Sequence, residues 1–452
     1  MPLSMELDAM LAGLGDPDLR ALAREIRAEL RDQQVNFGSG PGSEFRVDPL
    51  PCVIESSVWD ALVPALRQRA RALESFVCDV YGGERQIVGA GIVPETAIAT
   101  AEHYEPRIAE LPAPLDGMAR IGVAGFDLVR EQEGPFQVLE DNVRTPSGLA
   151  YALAARRSVC ARLPQSARAS VRSLESAVES LRGVLRAASG EQRSVVVLSD
   201  GPANCAWYEH RTLAALLDIP LVMLGELRVR DGRLYAWIEG REHAIDIVYR
   251  RTDEDRLLDR STGAPSSVGE ALLGPLAAGT LTCVNGFGTG LADDKLLHAY
   301  VEPMIEFYLA ERPLIRGVPT YDLADPQVLG LVLDRLAELV IKPRSGHGGS
   351  GVVIGPRAEP DTLELTAQAI TARPSAFVAQ ETVQLSREPT LCADGEIELR
   401  HVDLRPFSYN QGATGGVEIA PGGLTRVALE RGSMIVNSSR GGGAKDTWVL
   451  GS

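Results

Sequence analysis

Long apolar runs are missing from this chain. No stretch of about 18 uncharged apolar residues occurs, which argues against a membrane-spanning helix. Basic residues are in the minority: 45 Lys and Arg stand against 61 Asp and Glu, a net charge of −16. That balance excludes a nucleic-acid surface, which needs a basic stripe. An anionic small molecule such as a nucleotide would need a local basic pocket or a metal to hold it. Cysteine is sparse and scattered: Cys52, Cys78, Cys160, Cys205, Cys283 and Cys392 form no CxxC, so isolated reduced thiols are expected. The histidines show neither HxxxH nor HxH spacing, which argues against zinc. Met1 to Gln34 is rich in acids and arginines and has no apolar h-region, so a cytoplasmic protein is expected. The sequon Asn437-Ser438-Ser439 is discounted for the same reason. There is no Walker loop, no Rossmann fingerprint and no internal repeat.

What is present is ordinary globular material: 45% apolar and 23% charged residues over 452 positions. At roughly 150 residues per domain this is about three units. Asp16-Pro17 opens an amphipathic helix, and Ala61–Val80 reads as a second, long one. Phe126–Arg130 and Phe136–Glu140 read as two strands around the turn EQEG. Helices are expected from Tyr151 and over about Ala167–Ala188. Ser194–Asp200, Leu221–Leu224, Leu234–Ile238 and Ile245–Arg251 then read as strands, with a helix around TLAALLD. Strands alternating with helices suggest a small doubly wound α/β unit over 191–285. Helices near Asp294–Ala310 and Pro326–Val340 follow, then strands near Val340–Lys342, Val352–Ile354 and Phe377–Gln380. The expected division is 1–190, 191–285 and 286–452, packed as one body.

The densest polar cluster is VLEDNVRTPSG, Val138–Gly148. Glu140 and Asn142 lie two apart on a strand and share a face, and Asp127 on the neighbouring strand can reach the same point. Two carboxylates and an amide oxygen suit Mg²⁺, which leaves its other positions to phosphate and water; a solvated hairpin with surface acids would look the same. Arg144 and Ser147 follow, and a guanidinium there can hold a phosphate or carboxylate bidentately, or simply pair with Asp141 or another nearby acid. In IKPRSGHGGSGV, Ile341–Val352, a strand ends in Lys342 and glycines follow. Such glycines let backbone N–H groups approach phosphate oxygens. NGFGTGLADDK supplies Lys295, and FVAQE ends in Gln380 and Glu381, a strand end able to face an adenine and ribose. Arg405 and Arg426 belong to a tail dense in arginine and glycine.

These blocks together carry a resemblance. DPLPCVI, LEDNVRTPSGLAYAL, DIVYRRTDEDRLLD, NGFGTGLADDK, VDLRPF, GGLTRVAL and NSSRGGGAKDTWVL make the chain look like the circularly permuted ATP-grasp proteins related to glutathionylspermidine synthase, from about Pro41 to Leu450. The resemblance implies an α/β (α+β composite) ATP-grasp fold in permuted order, with an inserted Rossmann-like pre-ATP-grasp unit at 191–285. It implies Asp127, Glu140 and Asn142 as metal ligands and Lys295 and Lys342 as nucleotide lysines. Gly346, Gly348 and Gly349, with His347 between them, fall on the phosphate-covering loop, and Gln380 and Glu381 on the adenine side. One departure is an arginine expected two positions before Asp127, where Gly125 stands; the synthase's amidase domain has no counterpart either. Its glutathione and spermidine substrates are therefore not carried over.

The activity so implied is an ATP-dependent, Mg²⁺-dependent carboxylate–amine ligase working through an acylphosphate. Arg144 would stabilise that intermediate or bind the carboxylate with Ser147, and Arg405 and Arg426 would assist. The partners would be a small-molecule or peptide carboxylate and an amine, with no nucleic acid and no membrane; partner enzymes remain open. A phosphotransferase using His347, or a nucleotide-binding scaffold without turnover, are the alternatives.

Overall fold

The structure is a computed structural model and describes residues 16–38, 43–114, 118–132, 134–163, 170–189, 194–346, 351–434, 436 and 441–451. Short helical turns are left unnumbered. The chain opens with α1 (Asp16–Asp32), β1 (Val47–Ile54) and α2 (Ser56–Gly82). Along α2 the residues Trp59, Leu62, Leu66, Leu73, Phe76, Val77 and Val80 recur at helical spacing and are buried. Gly83 ends α2 in the left-handed region at φ 94°. Next come β2 (Val123–Val129), β3 (Gln137–Asn142), α3 (Leu149–Cys160) and α4 (Ser176–Ser189). The helix expected from Ala167 thus begins later. Val171 bridges Leu450 and Arg172 N donates to Val449 O at 2.8 Å, so tertiary pairing claims those residues first.

A second region holds β4 (Val195–Ser199), α5 (Trp207–Leu217), β5 (Leu221–Met223), β6 (Leu227–Arg230), β7 (Arg233–Ile238), β8 (Arg241–Ile245), β9 (Ile247–Arg251), α6 (Ser267–Ala277) and β10 (Thr282–Val284). Strands β10, β9, β4 and β5 form a parallel sheet in that order, as a doubly wound unit requires. The stretch Leu234–Ile238 does not join it. It is the middle of an antiparallel meander β6–β7–β8, turned by Asp231-Gly232 (φ 52° and 71°) and Glu239-Gly240 (φ 49° and 77°). The strand expected over Ile245–Arg251 is broken at Asp246, whose carboxylate accepts from Ser194 N and Arg233 Nη2.

A third region holds α7 (Val301–Leu309), β11 (Thr320–Asp322), α8 (Pro326–Asp334), β12 (Leu339–Pro343), β13 (Val353–Ile354), α9 (Pro360–Ala372) and β14 (Phe377–Glu381). Its sheet runs β11-β14-β12-β13 and is antiparallel. One face packs Leu339, Ile341 and Ala379 against Val332 of α8 and Ile370 of α9. The other face therefore presents Lys342 and Gln380.

The largest sheet joins both ends of the chain. β15 (Arg387–Leu391), β16 (Ile397–Asn410), β17 (Val417–Val427) and β18 (Gly443–Val449) complete it, in the order β1-β18-β17-β16-β2-β3 with β15 on β16. The strands of 397–449 thus lie in one sheet with those of 47–54 and 123–142, and sheet membership cuts across the division at 286. β1 and β18 pair in parallel, and a buried ion pair clamps them: Lys445 Nζ donates to Asp48 Oδ1 at 2.7 Å and to Pro389 O at 2.7 Å. Asp48 Oδ2 accepts from Leu391 N at 2.7 Å. Among the described residues no helix is long and apolar enough to cross a membrane.

Removing one member of a buried ion pair strands the other. Asp48→Asn should therefore cost about 3–5 kcal/mol, while Asp48→Leu with Lys445→Met should recover most of it. Thermal melting of the three proteins decides; a single variant as stable as the parent contradicts the clamp.

Candidate active site

A cleft with an empty volume of ≈ 1130 Å³, mouth included, opens between the end of β3 and the sheet carrying β12 and β14. Its wall contains Glu140, Asn142, Arg144, Lys295, Lys342, Gly346, Gln380 and Arg405. Three links hold the walls together. Val138 N donates to Arg316 O at 2.9 Å and Val318 N to Val138 O at 2.8 Å, tying β3 to the chain before β11. Asn285 Nδ2 donates to Val123 O and Val143 O, both at 2.7 Å, tying the parallel sheet to β2 and β3. Asp293 Oδ2 accepts from Val143 N at 2.8 Å and Arg144 N at 3.2 Å.

The hairpin β2–β3 places Asp127 directly opposite Glu140, and Gly125 opposite Asn142. Glu140 Oε1 stands 3.8 Å from Lys342 Nζ. Lys342 is buried, and desolvation lowers its pKa, with Glu140 working the other way. Asn142 Nδ2 and Arg144 Nε are buried and have no hydrogen-bond partner. Burial disfavours charge on Arg144, but Asp293 and Asp255 outweigh it and raise its pKa. Its acidic neighbour is Asp293, at 3.4 Å, not Asp141. The Asp141 carboxylate is taken up instead by Arg69, through two 2.6 Å bonds, and by His298 at 2.8 Å.

Asp127 stands differently from expectation. Both its oxygens are engaged: Arg405 donates at 2.6 and 2.8 Å, and Arg426 at 2.7 Å. Burial alone would push this carboxyl up, but the two guanidiniums prevail and hold it well below the usual carboxylate range. Arg426 is itself held by Asp403 and does not line the cleft, whereas Arg405 does. A Cβ built on Gly125 would lie 3.5 Å from Arg405 Cδ and 3.6 Å from its Cγ. The stem of Arg405, arriving from β16, thus fills the space over the position where the resemblance asks for an arginine.

Ser147 faces away from the cleft: its hydroxyl accepts from Arg251 Nη2 at 2.6 Å. Gln380 donates to Thr320 Oγ1 at 3.0 Å. Glu381 alternates to the other face of β14, where Tyr321 and Arg335 hold its carboxylate at 2.5, 3.0 and 3.1 Å. Lys295 Nζ donates to Gly346 O at 2.7 Å, across the cleft at the start of the glycine loop. His347, Gly348 and Gly349 lie outside the described residues.

Sequence reasoning missed Arg344 and Arg251. Arg344, two residues after Lys342, is buried and donates to Asp294 at 3.0 Å and Thr100 at 2.7 Å. Arg251 holds Pro146 O at 2.8 Å and Glu209 at 3.0 Å, and so fixes the turn before α3. Its place at the carboxyl end of a parallel strand is the signal that could have pointed to it.

The donor set fits a nucleotide phosphate chain. Arg144, held only loosely by Asp293 at 3.4 Å, and the desolvated Lys342, 3.8 Å from Glu140, bring positive charge to it. For a metal the fit is narrower: among the described residues no group of three His, Cys, Asp or Glu is poised for one. Glu140 and Asn142 would supply the protein ligands, and phosphate and water the rest.

The model of the circularly permuted ATP-grasp type 2 family matches residues 51–428. The chain belongs to that family. An uncharacterised protein of Mycobacterium tuberculosis is 39% identical over 448 residues, 98% of this chain and 80% of its own. A protein of Frankia alni named a putative glutamate–cysteine ligase is 42% identical over 445 residues, 96% of this chain but 50% of its own. The fold matches that of a glutathione synthetase-like effector from Globodera pallida, solved in apo form, with TM-score 0.59 and 14% identity over 96% of this chain and 98% of that one. This permuted ATP-grasp chain thus carries its strand hairpin ahead of its lysines, in the order that the motifs suggested.

Lys342→Met should leave melting without ligand within about 1 kcal/mol, because a desolvated charge is removed with the stem kept. The same variant should lose the melting shift that Mg·ATP gives the parent, while Glu381→Gln keeps it. A full shift in Lys342→Met contradicts the cleft as the nucleotide site.

Proposed function

We propose that this family member is an ATP-dependent carboxylate–amine ligase. The observation that carries the reading is Glu140 and Asn142 on one wall of a cleft, with Lys342 3.8 Å from Glu140 on the other and Arg144 beside them. Bound Mg²⁺ would neutralise charge on the phosphates, with Glu140 and Asn142 as its protein ligands. Lys342 from the opposite wall, and Lys295 from the segment that carries Asp293, would hold phosphate oxygens. The substrate carboxylate attacks the γ-phosphorus and ADP leaves; the amine then attacks the acylphosphate carbon, loses its proton and expels phosphate.

Catalysis of this kind rests on positioning and preorganised charge. Arg144 is aimed by Asp293, which also fixes the backbone N–H groups of Val143 and Arg144. Arg405 is aimed by Asp127 and takes the part of the arginine that Gly125 cannot supply. Asp127 then serves first to orient that guanidinium. The glycine loop after Gly346 would cover the phosphates.

Supplied with ATP and a matrix of carboxylates and amines, glutamate and cysteine among them, the enzyme should release ADP only when both partners are present. Release without an amine points to a phosphotransferase, and no release with any pair to a protein without turnover. Glu140→Gln should abolish turnover. Arg405→Met should lower it by about a hundredfold or more, the scale of losing one preorganised donor, while the Mg·ATP melting shift persists. An unchanged rate in either variant contradicts its assignment.

A further inference from the structure

A second concavity lies away from the cleft and shares no lining residue with it. It is a groove of ≈ 1830 Å³, mouth included, between α1 on one side and the start of β1 with the turn after β15 on the other. Four arginines line it: Arg20, Arg24 and Arg27 from α1, and Arg46 just before β1. The first three recur at helical spacing, so they form one row along α1, roughly 10 Å long at 1.5 Å per residue. All four are exposed.

This row is uncompensated. Among the described residues no carboxylate lies within ion-pair distance of any of the four. Two acids of α1 are used elsewhere: Glu25 and Glu29 pair with Arg162, just after α3, Glu25 at 3.2 Å. Like charges at i,i+3 and i,i+4 cost a helix a few tenths of a kcal/mol per pair. A chain of net charge −16 thus concentrates unpaired positive charge in one groove. Apolar Val47, Pro49, Leu391 and Leu429 share the lining with the arginines, together with Asp394 and with Asp48, which Lys445 neutralises.

We infer that this groove is a docking site for an acidic protein segment that also carries apolar side chains. The charge pattern selects the class. A bare polyphosphate would gain from the arginines but would meet Asp394 and leave the apolar floor wet. A peptide alternating acids with leucine-like residues satisfies both. The coverage of the relatives is consistent with a partner: the same unit makes up half of the Frankia alni protein, so there it is joined to a second segment of similar length.

The test uses the full chain and a fluorescein-labelled peptide of alternating glutamate and leucine, followed by anisotropy. Binding should be seen at about 50 mM salt and weaken steeply towards about 300 mM. A lysine–leucine peptide should not bind. Arg20→Gln/Arg24→Gln/Arg27→Gln should weaken binding about tenfold or more with its melting temperature unchanged, and Arg46→Gln on the facing wall should weaken it less. The Mg·ATP melting shift should be untouched in both. Equal binding by the triple variant, equal binding of the lysine peptide, or binding of long-chain polyphosphate in preference to the peptide overturns the inference. So does a salt-sensitive dimer that the triple variant dissolves, which would give the groove to a second copy of the chain.

Discussion

The parallel pairing of β1 with β18 is the constraint on which the rest depends. Strand β18 lies between β1 and β17, so it transmits position from the first strand of the chain to β16. β16 in turn lies against β2, with Leu404 opposite Leu128. That register delivers Arg405 to Asp127 and, through the β2–β3 hairpin, sets Glu140 and Asn142 at the cleft. A slip of one residue would turn these side chains to the other face. The buried Lys445 ammonium, satisfied by a carboxylate and backbone carbonyls, penalises such a slip because no other register meets its needs.

Charge alternation organises the layer behind the cleft, of which Arg405 alone reaches the lining. Asp403, Arg426, Asp127 and Arg405 follow one another in contact, each acid flanked by guanidinium. At the wall the alternation loosens: Asn142 Nδ2 has no partner, Arg144 Nε meets Asp293 only at 3.4 Å, and the desolvated Lys342 meets Glu140 only at 3.8 Å. Inside a folded protein such groups are costly unless a ligand completes them. The cleft is therefore rigid below and unsatisfied above, which is the arrangement that binding of a polyanion relieves.

Much of this was legible in the residues. The apolar period of α2 and the two-residue spacing of Glu140 and Asn142 are local signals. The turn EQEG brought Asp127 within reach of Glu140, but their direct pairing depends on a register shift between Asp127 and Leu128 that the turn does not announce. Lys342 and Gln380 were readable as strand-end residues, though not as neighbours on one face of one sheet. What stayed hidden was non-local. The grip of Arg405 and Arg426 on Asp127 spans almost 300 residues of chain, and no periodicity reports it. Glu381 was misplaced because its alternation on β14 was not followed through: Val378 and Gln380 face the cleft, so Glu381 cannot. The Asp231-Gly232 turn was a readable signal that went unused, and with it the meander was folded into the wrong sheet.

The closure of the large sheet by both chain ends also bears on how the protein comes into being. Strands β16, β17 and β18 lie far behind β1 and β2 in sequence, and until they pair β2 has only β3 beside it and β1 stands alone. The central sheet is then assembled only once the strands of 397–449 are available to those of 47–54 and 123–142. Pairings of such sequence separation carry a high loop-closure cost and form slowly. In the interval the apolar faces of β1, β2 and α2 are uncovered, and exposed surface of that kind favours aggregation over pairing.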